Sequence, residues 1–388
     1  MDKVKNFCLI GTLLILWSAI IYSHSYARDK GADTTSTRLP CEAALLMEVD
    51  SGKVIFAQEP HKRWPPASMT KMMLMLIVME KIKDGSIKLE DKITTSAFAS
   101  KIGGSQVYLK EGEVFTLEEL MKAIVIHSSN DACVAIAEHI AGSSESFVDM
   151  MNQRASESGL KDTEYHSAHG LPPGPGQQED MTCAYDLALL GRELIKYPLL
   201  LKWGGTLQDT FRNGQFILYN TNKLVGRLRG VDGIKTGFYQ RARFNVTATA
   251  QRDGLRFIAV ILGSTTNKDR FGQASRLLTM GFNNYKKVKV IKAGDPVGKP
   301  VKISEGKIST TQPRAGKDAI ALVRKGKEKQ IEVKTIITEP IIVPLKQGAE
   351  IGIIVITSDG EFLGKVPAVT GEEIPQANLF WRLFPFFQ

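Results

Sequence analysis

The residues leading into Ser68 constrain the fold of this chain more than any other stretch. Residues 65–67 are Pro-Pro-Ala, and residues 68–83 are apolar and rich in Met, Leu and Lys, which favour helices. Because the prolines prevent a helix upstream, the predicted helix over 68–83 begins at Ser68. Lys71 lies three residues later, so its amine shares a helix face with the Ser68 hydroxyl. The sequence therefore predicts a hydroxyl and an amine side by side at the N-terminus of a buried helix.

This pair has a specific chemical use. A serine hydroxyl is a weak nucleophile until a base takes its proton, and a lysine is such a base only when its pKa is lowered. Burial among apolar neighbours and a second nearby cation would lower the pKa of Lys71. The free N–H groups at the helix N-terminus would favour the negative charge that develops during acyl transfer. The alternative is that Ser68 only caps the helix.

A second short motif, Ser-Ser-Asn at residues 128–130, lies between two predicted helical stretches. The Ser128 hydroxyl could relay a proton to a leaving amine. The Asn130 amide could hold a substrate carbonyl or the lysine. Helix capping by Ser and Asn is the alternative explanation of this motif.

A third motif, Lys235-Thr236-Gly237, precedes a predicted strand. A strand edge of this composition presents a cation, a hydroxyl and unpaired backbone groups to an extended substrate. Gly237 would let the ligand approach the backbone closely. A glycine-containing turn with a surface lysine is the alternative.

The remaining chain alternates β-prone and helical segments, and its 388 residues correspond to two or three domains. Hairpins are predicted where Asp and Gly separate apolar runs. The helix predicted over 182–196 ends before Pro198. Short Val and Ile runs interrupted by Gly, Pro and Lys follow Tyr285, which predicts a small all-β domain over 288–371. The predicted hairpins cover 41–58 and 244–262, and the predicted helices cover 117–141, 144–159, 182–196 and 269–285.

The first 27 residues are typical of a secretory signal peptide. Two lysines precede an apolar run over residues 7–22, and Ser25-Tyr26-Ala27 forms a small-residue cleavage pattern. The alternative is an uncleaved membrane anchor, although a span needs about 20 apolar residues. Either reading predicts export. Three cysteines lie beyond the leader: Cys41, Cys133 and Cys183. Their number is odd and their spacing is not typical of a metal site, so the sequence does not assign a disulfide.

The C-terminus is basic and ends in an aromatic tail. Residues 286–388 hold 17 Lys and Arg against 11 Asp and Glu, so most of the chain's net charge of +9 lies there. Residues 374–388 contain Trp and four Phe, which favour a membrane interface, and the basic domain beside them would favour an anionic membrane surface. Docking of this tail on its own domain is the alternative. The basic run over 324–329 is predicted to be a solvated loop, with no nucleic-acid partner.

The three motifs in this order resemble the low-molecular-weight penicillin-binding proteins, the serine-type D-alanyl-D-alanine carboxypeptidases. The resemblance runs from about residue 40 to the C-terminus and includes His-Gly-Leu-Pro at 169–172 and Val-Asp-Gly-Ile before Lys235. It implies an α+β fold with a β-lactamase-type catalytic domain over 41–285. An antiparallel sheet flanked by helices would carry a helical subdomain that supplies Ser128 and Asn130. The all-β domain and a membrane-anchoring tail would follow.

The resemblance also implies the reaction, with no metal or cofactor. Ser68 would attack the peptide bond of a peptidoglycan stem that ends in D-Ala-D-Ala, and Lys71 would take its proton. Ser128, with Lys235, would deliver a proton to the departing D-alanine. Asn130 would hold the acyl-chain amide. β-Lactams would acylate Ser68 as substrate mimics, and the enzyme would act at the periplasmic face of the bacterial cytoplasmic membrane.

Further residues are implied around the substrate. The backbone N–H groups of Ser68 and Phe238 would form an oxyanion hole, while Thr236 and Arg270 would bind the terminal carboxylate. The family more often has His or Tyr, then Thr, at positions 238 and 239, and Gly in place of Arg243. Two alternatives therefore stay open: an endopeptidase acting on cross-linked peptidoglycan, and a non-catalytic murein-binding scaffold. A class A β-lactamase is disfavoured because the sequence lacks a Glu-x-x-Leu-Asn motif.

Overall fold

The chain builds a helix-covered antiparallel sheet followed by a domain made of strands. The structure is a computed structural model that describes residues 38–377. The helices are α1 (Lys71–Lys83), α2 (Ala97–Lys101), α3 (Leu117–Lys122), α4 (Asn130–Ala141), α5 (Ser144–Glu157), α6 (Ala184–Ile195), α7 (Pro198–Gly204) and α8 (Asn267–Asn284). The strands of the first part are β1 (Ala43–Glu48), β2 (Val54–Gln58), β3 (Lys92–Thr94), β4 (Val114–Thr116), β5 (Gln208–Phe211), β6 (Phe216–Tyr219), β7 (Val231–Tyr239), β8 (Arg243–Arg252) and β9 (Leu255–Ser264).

The main sheet has the strand order β2-β1-β9-β8-β7, so β7 is an edge strand. Successive side chains of a strand point to opposite faces, and both faces of this sheet are covered. In β1, Leu45 and Met47 join the core formed with α1 and α6, whereas Ala44 and Leu46 join the core formed with α8. The central strand β9 is buried along its whole length. Two-sided burial explains why β1 and β9 are nearly continuous apolar runs in the sequence.

A mostly helical subdomain is inserted between β2 and β7. It contains α2 to α5 and two small two-stranded sheets, β3-β4 and β5-β6. Helices α4 and α5 contribute buried residues to the same core as α1. The helical subdomain therefore packs directly on the helix that follows Ser68.

Between Tyr285 and the last described residue, Ala377, the chain consists of strands, loops and one short 3₁₀ turn, Glu328–Gln330. The strands of this part are β10 (Tyr285–Ile291), β11 (Val301–Lys302), β12 (Thr310–Thr311), β13 (Pro313–Ala315), β14 (Ala319–Arg324), β15 (Ile331–Ile337), β16 (Glu350–Ser358) and β17 (Glu361–Thr370). Four of them form an antiparallel sheet in the order β13-β17-β16-β15, and β10 pairs with β14. The predicted α+β fold class, with a C-terminal all-strand domain, is confirmed.

The predicted membrane tail falls partly within the described residues. Ile374 is fully buried and exchanges backbone hydrogen bonds with Leu345, and the Ala377 N–H donates to the Glu305 carbonyl. Residues 374–377 therefore belong to the C-terminal domain. The rest of that segment and the predicted leader lie outside the described residues. Within the described part of the chain, no helix combines the length and the apolar character that a membrane span needs.

Several predicted boundaries were wrong for local reasons. The helix predicted over 117–141 is interrupted, because a π-helical turn over Ala123–His127 follows α3 and Ser128 adopts a left-handed φ of 73°. The helix predicted over 182–196 begins at Ala184, and its N-cap is Cys183. The last predicted helix ends at Asn284, where β10 begins. The Lys-Thr-Gly motif lies inside strand β7, not before a strand.

Candidate active site

Ser68 and Lys71 meet at the start of the buried helix α1. Ser68 lies in a 3₁₀ turn, Ala67–Thr70, that runs directly into α1, and Lys71 is the first residue of α1. The Nζ–Oγ distance between the two side chains is 2.9 Å. Lys71 is completely buried, although its side chain ends in an amine. The nucleophile candidate and the base candidate are thus in direct contact.

Two carbonyl oxygens hold the Lys71 amine from its other sides. Nζ donates to Asn130 Oδ1 at 2.7 Å and to the backbone carbonyl of His169 at 2.5 Å. Asn130 Nδ2 donates in turn to the Gly103 carbonyl at 2.7 Å, which fixes the orientation of the amide. The second motif therefore positions the lysine of the first.

The environment lowers the pKa of both lysines. Burial is the main reason that the pKa of Lys71 falls below its ordinary value, and the charges of Cys133, Asp180 and Asp131 oppose this shift. Burial also lowers the pKa of Lys235 strongly, and the positive charge of Lys71 lowers it further. A neutral amine is therefore accessible at Lys71, as a general base requires.

The second motif sits at a break between helical segments. Ser128 is buried and follows the π-helical turn, and Asn130 is the first residue of α4. The Asn130 N–H donates to the Ser105 carbonyl, and the Ser105 hydroxyl donates to the His127 carbonyl. These bonds tie the motif to the 103–109 loop, which also provides the carbonyl that orients the Asn130 amide.

The third motif lies on the edge strand β7, beside the Ser68 turn. Lys235 and Thr236 are buried, and the Thr236 hydroxyl donates to Thr221 Oγ1 at 2.8 Å. The Thr221 N–H donates to the Ile126 carbonyl, so one residue links the third motif to the turn that carries the second. A Cβ added at Gly237 would overlap the Pro66 carbonyl oxygen, which explains why this position has no side chain.

Arg270 contacts the same strand from α8, and Phe238 lies near the end of that strand. Arg270 projects from α8 and donates from Nη1 to the carbonyls of Gly237 and Asn245, each at 3.0 Å. Its charge acts on Lys235 and contributes to the lowered pKa of that amine. The Phe238 ring is half-exposed and stacks on Phe244 at 4.2 Å between centroids. Arg270 thus supports the backbone of β7, and Phe238 forms an aromatic rim beside it.

The positions that depart from the family pattern have their own partners. The Tyr239 hydroxyl donates to Glu179 Oε1 at 2.6 Å. Arg243 adopts a left-handed φ of 54°, a conformation that glycine tolerates best, and forms an ion pair with Glu42 at 3.0 Å. The left-handed backbone at position 243 therefore suits the glycine that the family more often has there. In this chain the arginine at that position pairs with Glu42.

Asp180 connects two segments of the site and is not part of any motif found in the sequence. The buried carboxylate accepts from the N–H groups of His166 and Ser167 and from the hydroxyls of Ser167 and Thr70. This network joins the turn that carries Ser68 to the segment whose His169 carbonyl holds Lys71. No local sequence pattern marks such a role, because the partners lie far apart along the chain.

Gly170 explains the close packing of that segment. It has a left-handed φ of 76°, and a Cβ there would overlap the Ala67 carbonyl oxygen. His169 contacts Lys71 through its backbone carbonyl, while its ring Nδ1 accepts from the Leu171 N–H at 3.1 Å. Burial lowers the pKa of the His169 ring to about 4.

Comparisons with known proteins agree with this geometry. Residues 30–266 match the D-alanyl-D-alanine carboxypeptidase family, and residues 285–376 match the C-terminal domain of penicillin-binding protein 5. The chain is 37% identical over 386 residues to the D-alanyl-D-alanine carboxypeptidase DacF of Bacillus subtilis, covering 97% of this chain and 96% of that protein. It is 32% identical over 370 residues to DacC of Escherichia coli, covering 93% and 90%.

Solved structures extend the likeness to the fold. Penicillin-binding protein 5 of Haemophilus influenzae superposes with a TM-score of 0.77 at 29% identity, covering 88% of this chain and 99% of that one. Penicillin-binding protein D2 of Listeria monocytogenes, solved in an ampicillin-bound form, has a TM-score of 0.58 at 28% identity and covers 63% of this chain and 98% of its own. The chain therefore belongs to the D-alanyl-D-alanine carboxypeptidase family and is a serine peptidase with a penicillin-binding fold.

Proposed function

We propose that the chain removes the terminal D-alanine from peptidoglycan stem peptides through an acyl-enzyme on Ser68. The observation that carries the proposal is the Lys71 amine, which is fully buried and contacts Ser68, Asn130 and His169. Family membership supports the carboxypeptidase activity, and the geometry supports these residues in particular.

The three contacts of Lys71 suggest how Ser68 is activated. A neutral amine has two N–H donors and one lone pair. The Asn130 and His169 oxygens can only accept, so they take the two N–H donors. The lone pair is then left for the Ser68 hydroxyl, whose proton it would receive as Oγ attacks. This arrangement works only while Lys71 is neutral, which the lowered pKa of Lys71 favours.

The attack converts the substrate carbonyl into an oxyanion. The backbone N–H groups of Ser68 and Phe238 would stabilise it, since Gly237 places strand β7 against the Ser68 turn. An extended stem peptide would lie along the edge of β7. The buried Arg270 guanidinium would supply positive charge for the terminal carboxylate of D-alanine, and the Lys235 amine and Thr236 hydroxyl would donate hydrogen bonds to it.

Collapse of the tetrahedral intermediate breaks the peptide bond. The proton that Lys71 took would pass through Ser128, acting with Lys235, to the nitrogen of the departing D-alanine, leaving an ester on Ser68 Oγ. Water then cleaves this ester and restores the hydroxyl. A β-lactam would form an ester on the same Ser68 Oγ through its ring carbonyl. The relative solved in an ampicillin-bound form supports the binding of β-lactams.

The sequence further supports a periplasmic location at the membrane surface. The 1–27 segment would direct export, and the aromatic residues after Ala377 would bind the interface. The basic C-terminal domain would favour anionic lipid. Because residues 374–377 pack on that domain, the proposed anchor is confined to 378–388.

Product analysis tests the proposed reaction. The purified chain should release free D-alanine from a pentapeptide stem, and Ser68→Ala should release none. Cleavage of a cross-linked dimer without release of D-alanine from the monomer would indicate an endopeptidase. Absence of both products from a folded, penicillin-reactive protein would contradict the proposed substrate.

A further inference from the structure

A second group of reactive side chains converges outside the candidate active site. His61 Nδ1, Asp162 Oδ2 and Cys183 Sγ all lie within 4.8 Å of one another. The nitrogen–oxygen distance is 3.1 Å, and the sulfur–oxygen distance is 3.4 Å. The reaction proposed above uses none of these three residues. They come from three distant parts of the sequence, so the fold brings them together.

Two of the three separations suit one tetrahedral ion. Zinc bonds of about 2.0–2.3 Å to nitrogen, oxygen and sulfur place neighbouring ligand atoms roughly 3.3–3.6 Å apart. The nitrogen–oxygen and sulfur–oxygen distances are close to this range. The His61 nitrogen and the Cys183 sulfur lie within 4.8 Å of each other, so the exposed His61 ring would move towards the sulfur when an ion binds. Imidazole, thiolate and carboxylate are also the ligand types that zinc takes in proteins.

The backbone around the three ligands is already held in place. The Cys183 thiol caps α6, where Sγ accepts from the Asp186 N–H at 3.3 Å. Asp186 in turn accepts from the Asp162 N–H at 2.8 Å. The His61 ring lies 5.0 Å from the Tyr185 ring, and the Tyr185 N–H donates to the Pro60 carbonyl. A carboxylate that orients the ligand backbone is a common outer-shell element of zinc sites.

The charge around the three side chains and their exposure to solvent also favour a bound metal ion. The Cys183 thiol donates to the Asp162 carboxylate, and the Asp186 carboxylate accepts from the Asp162 N–H, so a divalent cation would balance two neighbouring carboxylates. The His61 and Asp162 side chains are 53% and 29% exposed, which gives an ion a route from solvent. One tetrahedral position would stay open to water.

We propose that His61, Asp162 and Cys183 form a Zn²⁺ site. On binding, the Cys183 S–H bond breaks, its proton passes to solvent, and the thiolate coordinates the metal without any change of oxidation state. The site would cross-link the segment before Ser68 to the start of α6. These two segments already exchange backbone hydrogen bonds between Trp64 and Thr182. The metal is thus structural, and the serine reaction proceeds without it.

Cobalt titration of the reduced, chelator-treated full chain tests the site. Co²⁺ alone should bind one per chain and produce a thiolate-to-cobalt charge-transfer absorption, and one equivalent of Zn²⁺ should abolish it. Cys183→Ser should remove the absorption while keeping the helix cap, because a serine hydroxyl caps as well. Cys41→Ser is the matched control and should retain it. His61→Gln should weaken Zn²⁺ binding by at least about 10-fold.

Thermal melting gives an independent measurement. Zn²⁺ should raise the melting temperature of the parent chain and of Cys41→Ser, but not that of Cys183→Ser. Absence of the absorption in the folded parent chain would overturn the proposal. An absorption that survives in Cys183→Ser would overturn it as well, because the thiolate would then come from another cysteine.

Discussion

Asn130 Oδ1 accepts a hydrogen bond from Lys71 Nζ at 2.7 Å, across 59 positions of sequence. The other end of the same amide donates to the Gly103 carbonyl. This orientation makes Asn130 an acceptor for the lysine and excludes it as a competing donor. The second motif therefore prepares the base of the first motif before any substrate arrives.

Lys71→Arg keeps a positively charged side chain at this position but removes the group that can act as a base. Arginine stays protonated at any working pH, so it cannot take the Ser68 proton. Acylation by labelled penicillin should slow by about 10²–10⁴-fold. A melting curve checks that the variant is folded. An acylation rate within threefold of the parent would show that Lys71 is not the base.

The acylation rate of the parent chain should rise with pH and then level off. The rise reports the loss of a proton from Lys71, and its midpoint should lie below 10.5 because burial lowers the pKa of that amine. Stopped-flow acylation measured across pH gives the midpoint. A rate that falls over the same range would contradict the assignment of a neutral amine.

Asp180→Asn should shift this midpoint to lower pH. The Asp180 charge raises the pKa of Lys71, so its removal lets the pKa fall further. The variant should also acylate more slowly at the plateau, because it weakens the bonds that hold the His169 segment. A purely structural role would lower stability and leave the midpoint in place.

Substituting two glycines that share a backbone conformation measures the cost of backbone strain apart from the cost of steric overlap. Gly170 and Gly176 have φ values of 76° and 78°, but only Gly170 lies against the Ser68 turn. Gly176→Ala should lower the free energy of unfolding by about 1 kcal/mol through strain alone. Gly170→Ala should lower it by about 1–3 kcal/mol more, from the overlap with Ala67, and should slow acylation. Equal effects in denaturant titrations would contradict the proposed contact.

Local sequence patterns were sufficient for much of the fold and for the centre of the site. The Pro-Pro-Ala stretch and helical spacing predicted the Ser68–Lys71 contact, because both residues lie within one turn. Asp and Gly between apolar runs predicted the hairpins β1-β2 and β8-β9. The boundary predicted between the helices over 117–141 and 144–159 is also found, at Gly142. These features depend on neighbours within a few residues, which a single sequence displays directly.

Long-range contacts were not predictable in this way. Asp180 acts on residues from two other segments, and His169 acts through a backbone carbonyl that every residue possesses. The π-helical turn before Ser128 retains helical composition, so periodicity predicted an unbroken helix. The convergence of His61 and Cys183 likewise depends on tertiary packing and leaves no spacing signature.

Deletion of residues 378–388 should release the protein from the membrane. The cut leaves Ile374 and Ala377 in place, so the C-terminal domain keeps its backbone hydrogen bonds. After export and leader removal, the shortened chain should move from the membrane fraction to the soluble fraction, with an unchanged melting temperature. Retention on the membrane would place the anchor elsewhere in the chain.

Mass analysis of the penicillin adduct tests the central claim most directly. The chain should gain one penicilloyl group, and peptide mapping should locate it on Ser68. Ser68→Ala, folded by its melting curve, should gain none. An adduct on another residue, or an adduct of equal yield in Ser68→Ala, would contradict the assignment of Ser68 as the nucleophile that Lys71 activates.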